Sequence, residues 1–193
     1  AVPAESAVEV VRELRSRGSG GIVCYTAGFG EAGEAGRKAE EALIEAAGDV
    51  ALIGPNCYGV INYLDRVALW PFAHGGSCPG YGAAIITQSG MLSSDLTMSQ
   101  RSVPLTHMIS IGNQAVLTIE HLVGVLCEQP EVRAIGLHIE GFRDTGQFAE
   151  AADKALQLGK PIVALKSGSS AIGKALTASH TGSLSGDDDL FAA

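Results

Sequence analysis

Short aliphatic runs alternate with longer amphipathic segments along this chain of 193 residues, and that alternation limits its fold more than any other feature. Runs of strand length fall at 21–27, 50–53, 82–87, 107–111, 134–139 and 161–166. Most are continuous, as in Ala83-Ala84-Ile85-Ile86, which predicts strands covered on both faces rather than on one. Helical periodicity predicts helices at 6–17, 33–47, 91–101, 117–128 and 145–158. In the first of these, Val8, Val11 and Leu14 form one stripe, with Glu9, Arg12 and Glu13 on the other. The repeated strand-then-helix order predicts an α/β fold with parallel sheets and right-handed crossovers.

The order breaks at 65–81, where Pro71, Pro79 and glycines at 75, 76 and 80 leave no helical period. Such a stretch reads as a connector between domains. The expected division is half of a doubly wound, Rossmann-like domain at 1–66 and a flavodoxin-like domain at 67–193. Two strands and two helices are too few for a stable open sheet, so the N-terminal half of the first domain is expected to lie elsewhere. The chain begins without Met and stops inside an apparent helix at 187–193, as a piece of a longer polypeptide would.

Apolar residues make up 46% of the chain and charged residues 18%, enough to build an aliphatic core. The net charge of −8 argues against nucleic acid or an acidic membrane surface as a partner. No apolar run is long enough to span a bilayer, and no basic-then-apolar leader opens the chain. Cys24, Cys57, Cys78 and Cys127 are widely spaced, which predicts reduced thiols and a cytoplasmic setting.

Ligands of open α/β sheets sit beyond the carboxyl ends of strands, so the loops there carry the search for chemistry. Gly54-Pro55-Asn56-Cys57-Tyr58-Gly59 follows one strand; it reads as a tight turn in which Asn56 bonds to backbone or ligand. Thr87-Gln88-Ser89-Gly90 follows another, with Ser89 as a natural N-cap and Gly90 at a helix start. That motif serves equally as a simple cap or as an anion cradle. In Ile139-Glu140-Gly141 an acid stands at a strand end, as a solvated side chain or as the partner of an imidazole.

The last strand feeds Lys166-Ser167-Gly168 and then Ala178-Ser179-His180-Thr181-Gly182. An imidazole among small residues is a candidate phosphoryl carrier, because one ring nitrogen attacks while the other shares its proton with an acid. His138 reads as a packed strand residue, and His74, His107 and His121 as unpromising. No histidine pair has metal-ligand spacing, so no zinc site is expected. Gly28-x-Gly30-x-x-Gly33 is read as a flexible, Glu-bearing loop, and no Gly-x-x-x-x-Gly-Lys-[Ser/Thr] phosphate loop or Gly-x-Ser-x-Gly elbow occurs.

Taken in order, these loops resemble the NDP-forming acyl-CoA synthetases, the superfamily of succinyl-CoA synthetase and ADP-forming acetate–CoA ligase. Ala27-Gly28-Phe29-Gly30-Glu31 and Gly54-Pro55-Asn56-Cys57 resemble the second half of its CoA-binding domain. Ile86-Thr87-Gln88-Ser89-Gly90, Ser110-Ile111-Gly112-Asn113, Ile139-Glu140-Gly141, Lys166-Ser167-Gly168 and Ser179-His180-Thr181-Gly182 resemble its ligase domain. The resemblance implies interconversion of carboxylate, CoA and ATP with acyl-CoA, ADP and phosphate, through an acyl phosphate and a phosphohistidine. It assigns the phosphoryl group to His180, the supporting acid to Glu140, and the phosphohistidine cradle to Ser89 and Gly90 with Gly182 nearby. Asn56 and Cys57 would lie near the reactive end of CoA.

The resemblance also implies ATP or ADP with Mg2+ on an ATP-grasp domain or subunit, and a homo- or hetero-oligomer. The first glycine-rich turn of the CoA domain and the ATP-grasp part are not in this sequence. Gln114-Ala115-Val116-Leu117 stands where an acid often follows the Gly-Asn pair. Tyr58, Trp70, Met91 and His107 are candidates for the acyl pocket, or equally for core and interface. The competing readings are a non-catalytic CoA or acyl-CoA sensor, as in protein acetyltransferase-like proteins, and a flavodoxin-like FMN binder.

Overall fold

The computed structural model describes residues 2–99 and 103–168. The chain opens with helix α1, Ala4–Ser16, strand β1, Gly21–Val23, helix α2, Glu34–Ala47, and strand β2, Ala51–Ile53. Strands β1 and β2 pair in parallel with Ile22 opposite Leu52. The stripes of the two helices close over this small sheet. Ala7, Val8 and Val11 of α1 and Leu43, Ala46 and Ala47 of α2 bury against Ile22, Phe29 and Leu52. A fully buried Val, Leu or Phe is worth about 1.5–3 kcal/mol, so helix packing supplies what two short strands lack.

The loop 28–33, expected to be flexible, is tied down. Gly30–Ala32 forms a 3-10 turn, and Glu31 Oε1 accepts from the N–H groups of Gly28 at 2.6 Å and Phe29 at 3.2 Å. The carboxylate supplies the acceptors that a turn of this kind leaves wanting.

The remaining elements are β3, Gly59–Asn62, β4, Val67–Leu69, β5, Gly82–Thr87, α3, Gly90–Met98, β6, Leu105–Ser110, α4, Ile119–Leu126, β7, Val132–Ile139, α5, Thr145–Gln157, and β8, Ile162–Lys166. They build a six-stranded sheet in the order β4-β3-β6-β5-β7-β8. Strands β5 to β8 are parallel, with β6 buried at every position, as the continuous aliphatic runs predict. Helices α4 and α5 cover one face, packing Val123, Leu126, Ala151 and Ala155 on Ile86, Ile109, Ile135 and Ile139. Leu92 and Leu96 of α3 line a groove with Ile85 on the opposite face.

Three details go beyond the expectations. Strand β3 pairs antiparallel with β4 and with β6, so the mostly parallel sheet carries an antiparallel edge. Since β3 already belongs to this sheet, the change of sheet falls between Ile53 and Gly59, ahead of the expected boundary at 66. Strand β4 is only three residues long, Val67-Ala68-Leu69, too short a run to stand out within the supposed connector. The fourth helix begins at Ile119 rather than 117, because Thr118 is extended (φ −117°, ψ 167°) and caps it, its Oγ1 accepting from His121 N at 3.4 Å. Among the described residues no helix is long and apolar enough to cross a membrane, and the four cysteines are free.

Candidate functional site

From β5 the chain crosses to β6 on one side and later returns to β7 on the other. Loops leaving neighbouring strands therefore diverge at the carboxyl end of β5, which opens a crevice there. The strand ends are level: Thr87 stands opposite Ser110 of β6 and His138 of β7. The loops beyond them form a cleft of about 320 Å³ lined by residues including Asn56, Cys57, Tyr58, Gln88, Ser89, Gly90, Met91, Asn113 and Glu140. Asn56, Cys57, Ser89, Gly90 and Glu140, separated by up to 84 positions in sequence, thus meet in one place. His180 and Gly182 lie outside the described residues.

Ser89 caps α3, its Oγ accepting from Leu92 N at 3.3 Å. The N–H groups of Gly90 and Met91 head the helix, where no carbonyl of the same helix can reach them. Gly90 also lies close against an aromatic ring: a Cβ there would sit 2.9 Å from Tyr58. Trp70 and Phe72 meet the Tyr58 ring edge-on, at centroid distances of 6.0 and 4.9 Å. Tyr58 and Met91 therefore contribute to the cleft, with Trp70 behind them. His107 does not; it is buried within β6, where burial lowers its pKa against an opposing influence from Asp65.

The loop after β2 and the loop after β6 are laced together. Asn113 N donates to Pro55 O, and Ala115 N to Gly54 O, both at 3.0 Å. Asn56 Nδ2 donates to Asn113 Oδ1 at 3.3 Å, and Asn113 Nδ2 in turn reaches Glu31 and Glu40. Burial works to raise the Glu31 carboxyl, but hydrogen bonds from Asn113, Gly28 and Phe29 outweigh it and hold the pKa below the usual value. Arg143 completes the clasp, donating to Asn113 O at 2.7 Å and pairing with Glu40 at 3.3 Å. Asn113 and Glu31 are thus the joint between the two sheets. Their motifs are visible in the sequence, but nothing local reveals that they meet.

Cys57 lines the cleft without offering a free thiolate. Its Sγ donates to Cys24 O at 3.4 Å, and burial together with the neighbouring Cys24 pushes its pKa up to about 12. On the other side, Gln88 Oε1 accepts from Glu140 N at 2.6 Å and Gly141 N at 3.0 Å, which fixes the strand-end acid. Gln114, in the place where an acid often follows Gly-Asn, holds the same corner through Gly141 O at 3.0 Å and Ile119 N at 2.8 Å. Glu140 Oε2 is left buried without a partner among the described residues.

Beneath the cleft, His138 is hydrogen-bonded on both ring nitrogens, to Thr87 Oγ1 at 3.1 Å and Ser167 Oγ at 2.7 Å. Burial lowers its pKa, with Glu140 acting in the opposite direction. It is a strut between β5 and the loop leaving β8, consistent with a packed strand histidine. No group of three or more His, Cys, Asp or Glu among the described residues is placed to hold a metal ion.

Residues 80–193 match the succinyl-CoA ligase like flavodoxin domain. The chain belongs to that family. It is 36% identical over 199 residues to the alpha subunit of an ADP-forming acetate–CoA ligase II from Pyrococcus furiosus, covering all of this chain and 42% of that subunit. It is 35% identical over 198 residues to a trans-feruloyl-CoA synthase from an unknown prokaryotic organism, covering 99% of this chain and 28% of that protein. A dinucleotide-forming acetyl-coenzyme A synthetase 1 from Ca. Korarchaeum cryptofilum, solved with phosphate and ADP, superimposes with a TM-score of 0.85 at 27% identity. That match covers 99% of this chain and 41% of the solved one. The family's flavodoxin-like α/β fold is the one expected from the sequence, and the chain spans less than half the length of each of these three proteins.

Proposed function

We propose that the chain is part of an ADP-forming acyl-CoA ligase, an acid–thiol ligase that works through an acyl phosphate and a phosphohistidine. The observation that carries this reading is the convergence at one cleft of a capped helix start, an acid with an unpartnered oxygen, and the Asn56 loop. The names of the relatives, an ADP-forming acetate–CoA ligase subunit and a trans-feruloyl-CoA synthase, support the same reading.

In the thioester-consuming direction, an oxygen of phosphate attacks the acyl carbon and the CoA thiolate leaves, giving an acyl phosphate. A ring nitrogen of His180 then attacks phosphorus, and the P–O bond to the carboxylate breaks. The second ring nitrogen holds its proton against Glu140, which stabilises the charged ring, while N–H groups at the head of α3 face the phosphoryl oxygens. ADP takes the phosphoryl group in the last step. Asn56 and Cys57 would lie beside the reactive end of CoA, and Gly182 beside the phosphorylated ring.

Nucleotide with Mg2+ is assigned to an ATP-grasp domain or subunit, either fused or separate, within a homo- or hetero-oligomer. The free thiols and acidic charge fit a cytoplasmic setting without nucleic-acid partners. The complete enzyme given ATP, CoA and a panel of short and aromatic carboxylates should release ADP and phosphate in equal amounts with thioester. Production of AMP and pyrophosphate, or no carboxylate-dependent turnover with any acid, would contradict the assignment.

A further inference from the structure

Gln88, one residue before the helix cap, was not singled out by its sequence. Its side chain is 5% exposed and lines the cleft. Two backbone N–H groups, of Glu140 and Gly141, converge on a single atom of its amide. Only an oxygen accepts two such donors, so the other end of the amide must be the NH2 group. That nitrogen, Nε2, is buried and has no partner among the described residues.

The loop after β7 carries the mirror-image vacancy, the buried Oε2 of Glu140 with no donor among the described residues. Buried polar groups are nearly always paired, so a donor and an acceptor left open in one cleft describe the ligand that closes them. It must present an acceptor to Gln88 and a proton to Glu140. The free N–H groups heading α3, nine residues long and capped by Ser89, add a preference for negative charge on the acceptor side.

We propose that Gln88 is a ligand of a phosphoryl oxygen, and that Gln88 and Glu140 together select a phosphoryl group carrying one proton donor. Gln88 Nε2 and the head of α3 donate to the phosphoryl oxygens, and the ligand's proton is donated to Glu140 Oε2. Two forms satisfy this chemistry: monohydrogen phosphate, through its P–OH, and a phosphorylated imidazole, through its ring N–H. An anion with no proton to give, such as sulfate, would meet the carboxylate's charge directly. This inference rests on the ligase reading above and adds to it the residue that discriminates the anion.

The test uses the complete enzyme and the variant Gln88→Glu, whose carboxylate still accepts from Glu140 N and Gly141 N but replaces the NH2 donor by a second oxygen. Isothermal titration calorimetry with inorganic phosphate should show binding weakened by about 10-fold to 100-fold, in a variant whose circular dichroism matches wild type. In a second arm, the phosphorylated enzyme should lose its label faster in the variant. A change in the first arm alone identifies free phosphate as the source, and in the second alone the phosphorylated ring; either supports Gln88 as ligand.

The wild-type enzyme supplies a third measurement that needs no variant: phosphate should bind at least about 10-fold more tightly than sulfate. Equal affinity for the two anions, or unchanged binding and unchanged lifetime in Gln88→Glu, overturns the proposal. If the enzyme still forms ADP and thioester in that case, only the role of Gln88 fails. Absence of turnover together with absence of phosphate binding would remove the ligase reading as well.

Discussion

Replacing Glu140 by glutamine is expected to slow turnover of the complete enzyme by about 100-fold or more, with the fold intact. The fold should survive because the loop is held by backbone rather than by the carboxylate: Glu140 N and Gly141 N both bind Gln88 Oε1, and Gly141 O binds Gln114. The function should not survive, because the amide removes the negative charge that would stabilise a protonated or phosphorylated imidazole. Steady-state kinetics with the carboxylate and CoA, alongside circular dichroism, would separate the two effects. A variant that keeps more than half of its kcat would show that the strand-end acid is a bystander.

The largest structural effect is expected at Gly112. Its φ is +60°, and a Cβ added there would lie 2.2 Å from Pro55 O and 2.4 Å from Asn56 O. Gly112→Ala would combine left-handed strain with a backbone clash, at about 2–4 kcal/mol in total. Neither oxygen can yield cheaply, since Pro55 O accepts from Asn113 N and Asn56 is tethered to both Thr26 and Asn113. The clash therefore pushes the two halves of the cleft apart as well as lowering stability. Urea denaturation should show a lower midpoint with an unchanged slope, and a midpoint equal to wild type would contradict the packing described at this joint.

Much of this architecture was legible in the chain. The parallel strands β5 to β8 carry aliphatic runs that stand out, even in β8, whose centre is exposed, and Ser89 before Gly90 marks the start of α3 as capping chemistry requires. Strand β4 escaped because Val67-Ala68-Leu69 is only three residues long and follows a turn-rich stretch. The site was legible only in pieces. Ser89, Glu140 and Asn56 stand out because each follows a strand, but the long-range ties at Asn113, Glu31 and Gln88 depend on which loops the crossovers bring together. No local pattern encodes that a glutamine will bind the backbone 52 residues on.

The central proposal is that a phosphoryl group passes through His180 with the support of Glu140. Brief exposure of the complete enzyme to radiolabelled ATP, followed by proteolysis and peptide mapping, tests it most directly. The account predicts one label, stable to base and lost in acid, on the peptide containing His180 and missing from His180→Ala. No label during active turnover, or an acid-stable label on another peptide, would contradict it.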